Sequence, residues 1–154
     1  MSGKTNRVSS QVLGRFTGSA AGAFGSPVYV NLLTVSPAND GTVGLSPTPE
    51  EWTADRVAVY PTVVAADAAG SDLPYWGGET VVVNLVEISN QRTIGWDSTA
   101  LAAIGTNITV ISVGVFETLA DDDLLYWDDL TNPRIVNNGD TFQFGVGKLK
   151  IRED

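Results

Sequence analysis

Residues 108–144 read ITVISVGVFETLADDDLLYWDDLTNPRIVNNGDTFQF. Runs rich in valine, isoleucine, threonine and aromatic residues occupy 108–117, 124–128, 134–136 and 141–144. Such side chains fit a pleated, half-buried surface, so each run predicts a short strand. Between the first two lie Asp121, Asp122 and Asp123, whose adjacent carboxylates repel one another and favour a solvated turn. Between the last two lies Asn138-Gly139, a pair that tolerates the positive φ angles of a tight turn and predicts a hairpin. The stretch therefore predicts successive antiparallel strands.

Working outward, residues 148–152 alternate: Lys148, Lys150 and Arg152 point one way, Leu149 and Ile151 the other. One face of that strand is wet or meets an acidic partner, and its row of cations discourages stray edge pairing. Upstream, residues 28–35, 56–64 and 80–89 read as further strands, and 98–104 as a short helix capped by Ser98 and closed by Gly105. About eight strands over residues 27–154 make an all-β body, an antiparallel β-sandwich or jelly roll.

Residues 1–26 differ in kind. Val8, Val12 and Phe16 share one helical face, with Thr5 or Asn6 as N-cap, so a short helix is expected. Gly14, Gly18, Gly22 and Gly25 then punctuate a segment too entropically costly for a helix, which reads as a flexible Gly-rich connector. Charge divides in the same way. Residues 1–39 carry Lys4, Arg7 and Arg15 with no acid, whereas the rest carries six bases against eighteen acids. An acidic body repels phosphate, so no nucleic-acid partner is expected, while the basic arm suits an acidic protein neighbour. Lys4, Arg7, Val8, Val12, Leu13, Arg15 and Phe16 are its candidate partner-binding residues.

The 154 residues, 43% hydrophobic and 18% charged, suffice for one core. The apolar runs at 80–88 and 108–116 fall well short of a membrane helix, and no signal-peptide pattern opens the chain, so a soluble protein with no membrane partner is expected. With neither histidine nor cysteine, the chain cannot build Ser-His-Asp or Cys-His catalysis, a disulfide or a thiolate metal site. No phosphate-cradling glycine motif is present, and no cofactor is expected. Paired carboxylates for glycoside hydrolysis are conceivable only among Glu79, Glu87 and Glu117, yet a strand-borne glutamate is usually the wet face of a sheet. Asp121, Asp122, Asp123, Asp128 and Asp129 cluster without calcium-loop spacing, so no metal is assigned. Neighbours on a strand face opposite sides, so Tyr75-Trp76 and Tyr126-Trp127 are each expected to place one ring in the core and one at an interface or against a glycan.

The runs at 108–117 and 124–127, with Thr131, Ile135 through Thr141 and Leu149, resemble a group of small tailed-bacteriophage proteins described as tail-fibre or virion structural proteins. Residues 28–37 look like that family's first strand and turn, whereas residues 45–105 look like an expansion of its shorter body. The resemblance implies a non-enzymatic virion component and supplies no catalytic residues. Two roles then fit. A capsid decoration or cement protein, the favoured reading, would form a homotrimer on the capsid exterior and lash its basic arm onto major capsid subunits. A tail-fibre component, the alternative, would join other virion subunits in the tail and expose aromatic loops to a host glycan. Loss of residues 1–26 is expected to leave the β body folded.

Overall fold

The computed structural model describes residues 2–4, 15–16, 27–37, 56–82, 85–97, 107–119, 124–137 and 139–153. In chain order these give β1 (Ser2–Lys4), β2 (Val28–Leu33), β3 (Val57–Val59), α1 (Val63–Ala69), β4 (Thr80–Val82), β5 (Leu85–Ser89), β6 (Ile94–Trp96), β7 (Ile108–Phe116), β8 (Leu124–Val136), β9 (Phe142–Phe144) and β10 (Lys150–Glu153). The large sheet runs β1-β8-β7-β2-β3, a smaller one β10-β5-β4, and β6 pairs with β9. Among the described residues, each pairing of these strands is antiparallel. The all-β expectation holds, and the packed layers are consistent with a sandwich.

Alternation along β2 shows how the sequence builds two cores. Val28, Val30 and Leu32 face the main one, where they meet Val115 of β7, Ile88 of β5, Trp96 of β6 and Ile151 of β10. Burying each such side chain stabilises the fold by about 1.5–3 kcal/mol. Tyr29 and Leu33 turn to the opposite face and join Phe116, Leu124 and Trp127 in a second cluster. This part of the large sheet is therefore buried on both faces, which accounts for the near-continuous apolar run of β7.

Gly114 lies opposite Trp127. A Cβ there would stand 2.8 Å from the Phe116 ring and 2.9 Å from Leu124, so the ring occupies the space that a side chain would take. The guanidinium of Arg56, itself buried, stacks 3.9 Å from the Phe116 ring centroid and donates to the Thr118 carbonyl at 2.6 Å.

Several boundaries differ from the sequence expectation. The strand expected over 56–64 stops at Val59, because the Thr62 hydroxyl accepts from the Ala65 N–H and starts α1. Alanines at 65, 66, 68 and 69 then favour helix over the strand that the preceding valines suggest. The single strand expected over 80–89 is a hairpin in which β4 folds back on β5, Val81 opposite Val86. The runs at 124–128 and 134–136 belong to one strand, β8, whose register against β7 shifts between Val110 and Ser112. Pro133 lies in that irregular stretch, where a missing N–H costs no ladder bond.

Where a turn was expected at Asn138-Gly139, Gly139 has φ +91° and the Asp140 N–H donates to the Asn137 carbonyl at 3.0 Å, while Asn138 lies outside the described residues. The hairpin pairing expected across it is absent among the described residues. β9 pairs with β6, a strand the sequence did not announce, and the Trp96, Phe142 and Phe144 rings meet edge to face there. Aromatic packing between distant segments overrides the local turn signal.

Buried Asn90 joins these pieces. Its Nδ2 donates to the carbonyls of Arg92 (2.8 Å) and Gly145 (3.0 Å), and its Oδ1 accepts from the Leu149 N–H (2.9 Å). Its own carbonyl accepts from the Gly147 N–H at 2.7 Å. One amide thus fixes the turn that delivers β10 alongside β5.

Candidate functional site

The sequence-predicted positions separate into core, ion pair and surface. Trp76 is 2% exposed and stands edge-on to Phe16 at 6.0 Å between ring centroids. It is placed there because residues 74–77 bridge the two sheets: the Trp76 N–H donates to the Tyr60 carbonyl and the Gly77 N–H to that of Ser89. Tyr75 is half-buried beneath the Arg92 guanidinium, 5.1 Å from the ring centroid, and Arg92 also pairs with Asp67 of α1 at 2.8 Å. Tyr126 enters the main core against Phe16 (5.5 Å), and Trp127 enters the second cluster. Opposite facing is as expected, but both rings are buried and neither offers a face for stacking on a sugar.

Of the arm residues, Lys4 ends β1, whose backbone pairs with β8, Lys4 opposite Tyr126. Arg15 is half-buried, and Phe16, at 2% exposure, is a core residue of the body. A ring wedged between Trp76 and Tyr126 is spent on the chain's own fold, which corrects its assignment to a partner. Arg7, Val8, Val12 and Leu13, the helix they define, the connector, the helix expected at 98–104 and Asp121, Asp122 and Asp123 lie outside the described residues.

The cations of β10 find their acid within the chain. Lys150 Nζ and Arg152 Nε donate to the two carboxylate oxygens of Glu87 at 2.8 and 2.6 Å, while Leu149 and Ile151 turn into the core. Hydrogen bonds from Lys150 and then Arg152 hold the Glu87 carboxyl below the ordinary glutamate range, outweighing the opposing effect of burial. Glu87 is thereby committed to tying β10 onto β5. It is poorly suited to delivering a proton. Asp129 is exposed and accepts from the Ser36 hydroxyl at 3.0 Å, and among the described residues no group of three or more acids is arranged to hold a metal ion.

Among the described residues, the edges of the small sheet also carry accessible surface. Beside β10 runs a groove of about 320 Å³ between Asp128 and Leu130 of β8, Val113 of β7, Phe144 of β9, and Lys148 and Leu149. It continues under β10 as a narrow cavity of about 50 Å³ lined by Val115, Tyr126 and Ile151. At the far edge of the same small sheet, Val81 of β4 is 76% exposed. Sequence reading missed this edge because residues 80–89 read as one strand; Asn84, a residue type depleted in strands, was the available signal.

A family model described as podophage GP4 fiber I protein gp80 matches residues 3–152. The chain belongs to that family. Membership in the gp80 fibre family makes it a structural protein of a tailed-phage virion, associated with the tail. The match runs through residues 45–105, so the supposed expansion lies within the family's span. No curated protein matches the chain.

Proposed function

We propose that this chain is a non-enzymatic building block of a podophage tail fibre, working by lasting contact between its β body and other subunits, itself as a homotrimer included. The gp80 fibre match over residues 3–152 carries this reading. It supports the tail-fibre alternative over capsid decoration, the role the basic arm had suggested. Phe16 speaks the same way, since an arm with its ring in the body's core is less free to lash onto a neighbouring shell. Gold-labelled antibody against the protein, applied to whole particles, should decorate the tail fibres; label confined to the capsid surface would overturn the proposal. Light scattering should give three times the 16.3 kDa chain mass.

A further inference from the structure

We propose that the cleft between the end of β8 and β9 binds a saccharide, a mono- or disaccharide unit held by Arg134, Asp140, Thr141 and Gln143. The inference is independent of the fibre reading, which concerns how copies assemble and not what they hold.

The cleft exists because the expected hairpin does not close. The Asp140 N–H donates to the Asn137 carbonyl where the chain leaves β8, yet β9 pairs with β6, where Phe142 and Phe144 meet Trp96. On the other side Arg134 lies opposite Val110 of β7, and Val136 opposite Ile108. Each wall is thus fixed from its far side, and a space of about 420 Å³ is left between them, lined by Arg134, Ile135 and Val136 and by Asp140 to Gln143. That is the size of a small-molecule site. Val136 and Phe142, which pack on the main core, and exposed Ile135 supply its apolar surface.

The polar groups are not consumed by the fold. The Asn137 N–H and Nδ2 both donate to Asp140 Oδ2 at 2.9 Å, which fixes the carboxylate and leaves Oδ1 to accept from a ligand. These bonds, the backbone one first, hold the carboxyl below the ordinary aspartate range, so it is ionised at neutral pH. Among the described residues no side-chain hydrogen bond or ion pair engages Arg134, Thr141 or Gln143. A carboxylate and a guanidinium therefore line one cleft without pairing with each other.

This set selects the class of ligand. One cation and one acid cancel, and the acidic body around them disfavours a polyanion. An apolar chain would strip water from these polar groups and offer them no partner. A sugar matches, because each hydroxyl both donates and accepts: neighbouring hydroxyls satisfy Asp140 Oδ1, the Gln143 amide and the Arg134 guanidinium together, with a C–H face against the apolar wall. Asp140 is the one carboxylate among the described lining residues, whereas glycoside hydrolysis takes two. The cleft holds a sugar and does not cut it.

The test titrates the full, nitrogen-15-labelled chain with glucose, galactose, rhamnose, N-acetylglucosamine and glucuronate, and with glycine and acetate as charged controls. A printed array of oligosaccharides built from the same sugars separates a free sugar from a unit of a polysaccharide. At least one saccharide is expected to bind and to shift the amides of residues 134–136 and 140–143 ahead of those of β2. Arg134→Ala should weaken that binding about tenfold or more, the worth of a hydrogen bond to a charged group, and Gln143→Ala about threefold or more. Both positions are exposed, so the urea midpoint of the free chain should stay unchanged. Binding by no saccharide, binding indifferent to both substitutions, or glycine or acetate binding as tightly as the sugars overturns the proposal. Each of those results leaves the fibre reading standing, since labelling of whole particles decides it separately.

Discussion

Replacing Asn90 by alanine removes three well-formed side-chain hydrogen bonds at a site with no exposure to water. Each is worth about 0.5–1.5 kcal/mol net, and the buried Leu149 N–H, left without its acceptor, costs a further ~1–3 kcal/mol. The expected loss is about 3–5 kcal/mol, a large share of the roughly 5–15 kcal/mol that holds a domain folded. Urea titration followed by the fluorescence of buried Trp76 and Trp96 measures it directly. A midpoint lowered by about 2 M, at a slope of roughly 2 kcal/mol/M, is the expected result. The fall in Tm should be about 10 °C for a chain of this size. Because the lost bonds hold the turn ahead of β10, amides of residues 149–152 should lose exchange protection before those of β7. A loss below about 1 kcal/mol would refute the reasoning, since it would mean that these bonds are replaced by water at no cost.

Other substitutions probe separate links. Gly114→Ala should cost about 1–3 kcal/mol in the same titration, because the new methyl collides with the Phe116 ring and Leu124 inside a packed cluster. Phe16→Ala should cost about 3–5 kcal/mol and weaken the near-ultraviolet dichroism of the Trp76 and Tyr126 neighbourhood. Deleting residues 1–26 strips β1 from β8 and Phe16 from the core, so the remainder should melt at a lower temperature. Glu87→Gln should destabilise the chain at neutral pH. The folded carboxyl titrates below its ordinary value of 4.5, so the wild-type advantage is present above that pH and lost as pH falls through the folded value. Wild-type and Glu87→Gln melting curves should therefore converge in acid; a gap independent of pH would refute the ion pair as its cause.

The strands were legible wherever alternation and composition agreed, as in β2, β7 and β10. The sequence also announced that Leu149 and Ile151 would be buried while Lys150 and Arg152 faced outward, because a strand has only two faces. It could not say that the cations would meet Glu87, sixty-odd residues away, since strand pairing is a long-range choice. Isolated local signals failed where distant packing competed. Gly139 took the positive φ that the turn signal announced, but the Phe142 and Phe144 rings were claimed by Trp96, so the expected hairpin partner lost. Phe16 misled for a related reason: a basic, Gly-flanked segment looks like a free arm, and only the three-dimensional gap between Trp76 and Tyr126 shows where its ring belongs.

The irregularities between β7 and β8 bear on how such a protein withstands pulling. Register shifts interrupt the ladder between Val110 and Ser112 and again between Val115 and Phe116. A regular pair of strands can slide by two residues and re-form every bond with each side chain still on its proper face. Here a slide would carry both kinks out of step with their partners and drag Leu124 of β8 from its place beside Gly114. The two strands act as a notched joint, which resists creep under sustained tension along their length until it breaks as a whole.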